Sequence, residues 1–152
     1  MNIKKKIIAF LIALFIGIQL YPVDKPEVIV DNPNDLITTT TVPKNIASKL
    51  KAACYDCHSN ESNFRWYATI APSKWLVYKD INQAREELNF SNWNTYNKED
   101  KAELLDDIST VLYDNEMPLK NYTALHSEAK LTEEDKEAII NWTDQLLDSL
   151  YE

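Results

Sequence analysis

This sequence predicts an all-α fold, and three observations predict it. Apolar residues recur at three- and four-residue spacing in separate segments of the chain, the mark of amphipathic helices. Alternating apolar and polar residues, which would mark half-buried strands, are absent throughout. The 152 residues include a single glycine, Gly17, which lies in an apolar N-terminal run. Tight turns that need positive φ must therefore use Asn or Asp, which argues against β-hairpins and against any glycine-rich phosphate loop.

The elements follow in order. Lys4, Lys5 and Lys6 precede an apolar run from Ile7 to Leu20. As a helix that run is about 21 Å long at ~1.5 Å per residue, against a hydrocarbon core of ~30 Å. It suits a signal-peptide core, yet no A-x-A cleavage pattern follows in Tyr21-Pro22-Val23-Asp24. The reading preferred for residues 1–22 is an uncleaved signal anchor, with the lysines inside and the remainder outside; a cleaved signal peptide is the alternative. Residues 23–43 hold prolines, Asp, Asn and the run Thr38-Thr39-Thr40-Thr41 without apolar periodicity, and read as a linker.

Residues 44–152 form the expected domain. Ile46, Ala47, Leu50, Ala53 and Cys54 predict one helix running into Cys57-His58. A turn-rich stretch with Phe64, Trp66 and Tyr67 follows. Ser73 is the expected cap of a second helix carrying Trp75, Leu76, Val77, Asp80, Ile81, Ala84 and Leu88. Asn89 to Tyr96 is a polar-aromatic loop. Asn97, with Asp100 three later, opens a third helix with Leu104, Leu105, Ile108, Val111 and Leu112 inward. The stretch from Asp114 to Leu119 breaks it, and Thr132 with Asp135 begins a last helix through Ile139, Ile140, Trp142, Leu146, Leu147 and Leu150.

Charge narrows the function classes. All 24 acidic residues lie at or after Asp24; without Lys4–Lys6 the 16 basic residues fall to 13, leaving a net charge of −11 on the exported part. Nucleic acid, which needs a basic footprint, is excluded as a partner.

The chemistry lies in Cys54-Tyr55-Asp56-Cys57-His58, a C-x-x-C-H. This is the attachment signature of c-type haem. Residues three apart share a helix face, so the two thiols can reach the two vinyl groups of one porphyrin. The histidine after the second cysteine is then placed to bind iron through a ring nitrogen. The motif has three rival readings. A thiol–disulfide couple normally belongs to an α/β fold, and no sheet is predicted. A structural zinc site needs four ligands, whereas the chain has two cysteines and two histidines. A disulfide between the two cysteines would close too short a loop to stabilise much. Export agrees with haem, since its covalent attachment takes place outside the cytoplasm.

For the sixth iron position, Met117 is the sole methionine beyond the initiator, in a helix break before Pro118. Methionine paired with histidine raises the potential and closes the iron, a design for electron transfer. Filling a core gap is the rival role for Met117. His126 is the rival ligand, though a lone histidine is more often a satisfied structural group.

With these residues in place the chain resembles a known family, the Bacteroidetes-type haem-binding domain proteins, cytochrome c-like with a single C-x-x-C-H. The resemblance runs from about Lys44 to the C-terminus. It rests on the motif with Ser59-Asn60, Trp66-Tyr67, Ile70-Ala71-Pro72, Trp75, Asn89-Phe90-Ser91, Trp93, Met117-Pro118-Leu119, Tyr122, His126, Leu131-Thr132 and Trp142. It implies a cytochrome c-like helical domain wrapped around one covalent haem c. Cys54 and Cys57 would be the thioether donors, His58 the proximal iron ligand and Met117 the distal one. The chain departs from relatives with Tyr78, Lys79 and Asp80 where they carry histidines, so no role of those histidines carries over. Trp66, Tyr67, Trp75, Trp93 and Trp142 are expected to pack core and haem pocket rather than relay electrons.

The functional expectation is an exported one-electron carrier, not an enzyme, on the periplasmic side of the inner membrane or free in the periplasm if cleaved. It is expected to be a monomer that meets an unidentified redox protein partner, with the membrane engaged only through the N-terminal segment. The alternative is a haem enzyme or sensor with a labile sixth site, peroxidase-like, using Tyr122 and His126 in a distal pocket. A third possibility is a haem domain that serves another protein as an interaction module.

Overall fold

The computed structural model describes residues 2–152, and among them the chain is helical throughout, with no strand. The first helix, α1 (Ile3–Gln19), covers the apolar run and buries none of its residues. Its 17 residues reach about 26 Å at ~1.5 Å each, short of a ~30 Å hydrocarbon core. Among the described residues no helix is long and apolar enough to cross a membrane. The expected signal anchor is therefore not supported as a membrane span. The end of α1 is tied to the domain: the Gln19 side chain accepts from the Ala71 N–H at 2.8 Å and donates to the Ala71 carbonyl at 3.1 Å.

Residues 23–43, expected as a linker, lie against the domain as a packed arm. Asp35 caps the short helix α2 (Leu36–Thr39) by accepting from the Ile37 N–H at 2.9 Å. Leu36 is 0% exposed and belongs to the main core. The Ile29 N–H donates to the Asn60 carbonyl at 2.8 Å, and Arg85 donates to the Glu27 carbonyl at 2.8 Å. Scattered hydrogen bonds and the buried side chains of Pro26, Asp35 and Leu36 hold this arm. Neither leaves a periodic trace in sequence.

The helix expected through His58 is two helices. Helix α3 (Lys44–Ala53) ends at Cys54, whose φ of −123° departs from helical geometry, and α4 (Tyr55–His58) restarts after it. The Cys57 and His58 N–H groups both donate to the Cys54 carbonyl, at 3.1 and 2.9 Å, so the motif forms a turn of its own around that oxygen. A 3₁₀ turn (Trp66–Thr69) leads to α5 (Ser73–Glu87). Ser73 is the first residue of α5 rather than its cap; Pro72 holds the cap position and no side chain caps the helix.

A second 3₁₀ turn (Phe90–Thr95) precedes α6 (Lys98–Tyr113), which Asn97 caps as expected by accepting from the Asp100 N–H at 2.8 Å. After α7 (Lys120–Leu125), the last helix α8 (Glu133–Ser149) opens with a reciprocal capping box between Thr132 and Asp135. Helix α8 packs along α6 and against α3. Between them lie Ile46, Leu50, Leu105, Ile108, Ile139 and Trp142, joined by Phe90, Trp93 and Leu36. Burying each such side chain contributes about 1.5–3 kcal/mol. Trp93 and Trp142 pack the core as expected, and Trp75 meets Tyr21 edge-on with ring centroids 5.6 Å apart. Trp66 does not pack: it is 76% exposed.

Candidate haem crevice

The motif turn is held in place before any ligand is considered. Tyr55 stacks on Phe90, with centroids 5.1 Å apart and planes 11° from parallel, and its hydroxyl donates to Asp35 at 3.0 Å. The buried Ser59 hydroxyl donates to the Tyr55 carbonyl at 2.7 Å. Asn60 joins the turn to its surroundings, donating through its N–H to the Ser91 hydroxyl at 3.0 Å and accepting from the Asn89 side chain at 2.9 Å. Arm, motif turn and the 3₁₀ turn after α5 thus share one polar network in which the buried Ser59, Asn89 and Ser91 all find partners, as buried polar groups must.

His58 is oriented from behind. Its Nδ1 lies 3.1 Å from the Ala84 carbonyl and 3.1 Å from the Leu88 carbonyl. Carbonyl oxygens only accept, so Nδ1 carries the proton and Nε2 keeps a free lone pair. A metal-binding histidine is normally held this way, with its second nitrogen donating to a backbone carbonyl. The ring also meets Phe90 edge-on at 6.3 Å. Burial holds the imidazole below its ordinary pKa, which keeps it neutral and able to ligate.

Three adjoining cavities, of about 230, 170 and 170 Å³, make up a crevice around this turn. Cys54, His58 and Met117 line the largest, together with the apolar side chains of Leu104, Ile108 and Val111 from α6. The middle cavity shares His58 and Met117 with it and adds Cys57 and Pro118. The third continues from Cys57 past Asp80 toward Leu76 and Val77 of α5. Leu76, read from spacing as part of a packed face, is 53% exposed and borders this space. Apolar side chains on α5 and α6 thus face a gap rather than another helix.

Both thiols are half-buried at the crevice wall, in surroundings that favour the protonated form. Burial, with the neighbouring Cys57, pushes Cys54 up to about 12; burial, with Asp56 and Asp80 close by, pushes Cys57 up to about 11. A thiol–disulfide catalyst needs a stabilised thiolate, and this environment does the opposite. Among the described residues no three His, Cys, Asp or Glu side chains gather as a metal-ion site, which leaves the zinc reading without ligands.

Met117 is carried to the crevice by the end of α6. Asn115 adopts φ 60°, the Glu116 N–H donates to the Val111 carbonyl at 2.9 Å and the Asn115 N–H to the Leu112 carbonyl at 3.2 Å. This is a Schellman termination with asparagine in the left-handed position. The Met117 N–H also reaches the Val111 carbonyl, at 3.2 Å, which folds the chain back over the helix end.

His126 does not line the crevice. It is 1% exposed, its Nε2 is hydrogen-bonded to the Tyr67 hydroxyl, and its ring stacks on Tyr122 with centroids 4.0 Å apart. Sequence reading named Tyr122 and His126 but missed their partners, Asp56 and Tyr67. Their four-residue spacing marks one helix face; nothing local marks what that face meets.

The residues fit a haem. A flat apolar ring needs an apolar slot, a nitrogen donor fixed at one wall and thiols at its edge, and these are the groups that meet here. Among known families, the one described as haem-binding domain matches residues 13–145. No curated protein and no solved structure matches the chain.

Proposed function

The chain belongs to the haem-binding domain family, and from that premise we propose that it is an exported monohaem cytochrome c that transfers single electrons. One observation carries the reading: Cys54, His58 and Met117 border one apolar crevice, with His58 turned so that its free nitrogen is Nε2. In this proposal Cys54 and Cys57 would hold the group through thioethers, and His58 and Met117 would ligate its iron. The bound group supplies a one-electron couple. Leu104, Ile108 and Val111 exclude water, while the Ala84 and Leu88 carbonyls raise the basicity of His58 through its Nδ1–H.

Export is part of the proposal and is supported by Lys4–Lys6 ahead of an exposed apolar helix. Helix α1 serves as the address. A redox protein is the expected partner of a monomeric carrier. The alternative, a peroxidase-like enzyme, requires free distal groups. Tyr122 and His126 are committed to Asp56 and Tyr67, which counts against it.

The test is the absorption spectrum of protein exported by a host that matures c-type haem. A c-type reduced band, with a weak far-red methionine–iron band in the ferric state, is expected. Met117→Ala should keep the reduced band and lose the far-red one. No haem after export would overturn the proposal.

A further inference from the structure

A chain of polar contacts joins the haem-attachment turn to the segment that carries Met117, and ligation by itself does not require it. Tyr122 donates its hydroxyl to Asp56 Oδ2 at 2.9 Å, and Asp56 lies between the two cysteines. The other carboxylate oxygen accepts from the Asn63 N–H at 3.1 Å, which keeps the acceptor aimed. The Ala52 carbonyl, 3.5 Å from the same hydroxyl, is the poorer of its two acceptors. One helical turn on, His126 stacks under Tyr122, and its Nε2 engages Tyr67 of the 3₁₀ turn before α5. The stretch from Met117 to His126 is therefore pinned at three points: Met117 on Val111, Tyr122 on Asp56 and His126 on Tyr67. The middle point ties it directly to the turn that carries Cys57 and His58.

We propose that Tyr122 is a positioning residue for the sixth iron ligand, its hydroxyl clamping the Met117 segment against the Cys54–His58 turn through Asp56. This rests on the reading of Met117 as that ligand. Methionine is a weak, neutral ligand on a flexible side chain, so the fraction of time it spends on iron depends on how firmly its segment is held. The Val111 contact fixes where the segment leaves α6 and the His126–Tyr67 contact holds its far end; without the Tyr122–Asp56 bond the stretch between them loses its tie to the turn that carries Cys57 and His58.

The experiment uses the full-length haem-loaded protein and its Tyr122→Phe variant, which keeps the ring and its stacking on His126. Haem attachment and helical content should be unchanged. The ferric far-red methionine–iron band should weaken, and carbon monoxide should enter the ferrous site about tenfold faster or more, the population shift that losing one charge-assisted hydrogen bond produces. Asp56→Ala should give the same two changes, and adding Tyr122→Phe to it should bring no further change, because the bond between the two side chains is already gone. A wild-type far-red band and entry rate in Tyr122→Phe, or effects that add in the double variant, would overturn the clamp alone. A wild-type spectrum without the far-red band, unaltered by Met117→Ala, would overturn the methionine reading and the clamp with it.

Discussion

The chain has two histidines, and their surroundings assign them opposite tasks. His58 has one nitrogen satisfied by backbone carbonyls and the other left free toward the crevice. His126 is enclosed, with Tyr67 on its Nε2, Tyr122 stacked on its face and Glu128 3.7 Å from its Nδ1. Burial, reinforced by Arg65, holds His126 below its ordinary pKa. In the folded protein it thus stays neutral at a pH where the unfolded chain has already taken up the proton. The stability it supports is complete above about pH 6.5, the unfolded value, and is lost as pH falls through that value. With His58 held by iron, as proposed, His126 should account for the loss. The melting temperature should fall as the pH drops below about 6.5, and His126→Gln should flatten that slope. An equal slope in the variant would assign the titration elsewhere.

At the scale of elements, helix ends decide where Met117 lies. With no glycine available after Gly17, the left-handed residue that closes α6 is Asn115, the substitute that the composition called for. Asn115→Ala should cost about 1 kcal/mol, because alanine keeps the β-carbon but lacks the short polar side chain that lets asparagine adopt the left-handed region, whereas Asn115→Gly, which removes the β-carbon, should be neutral or slightly stabilising. Urea unfolding of both variants measures the difference, and equal losses would show that the turn does not depend on that conformation. Caps of this kind were legible because their signals are local. Asn97 with Asp100 and Thr132 with Asp135 each need only residues three apart. The break at Cys54 was not legible, because Ile46, Leu50 and Cys54 keep helical spacing across it and the backbone turns without a proline or glycine. The role of Ser73 was misread for a related reason: Pro72 precedes it and takes the cap position.

At the scale of the whole molecule, what escaped the sequence is long-range. The arm that buries Leu36 and donates from Ile29 to Asn60 carries no pattern, since a few unevenly spaced buried side chains and scattered hydrogen bonds suffice. The crevice escaped for the converse reason. Leu76, Leu104 and Val111 obey helical periodicity as core residues do, but they border a gap that protein atoms leave open. Periodicity reports that a face is apolar and is silent on what covers it. A fold built around such a gap should depend on its filler, because any group that binds only the native state shifts the folding equilibrium toward it. The double variant Cys54→Ala with Cys57→Ala removes the proposed covalent attachment while keeping His58 and Met117. Purified without haem, it should retain helical circular dichroism but lose a sharp, cooperative melt, as its apolar walls face water or collapse on one another. Adding free haem should restore part of the cooperativity through His58. A haem-free variant that melts as sharply as the loaded wild type would mean that α6, α8 and the arm form a self-sufficient core, with the crevice an appendage to it.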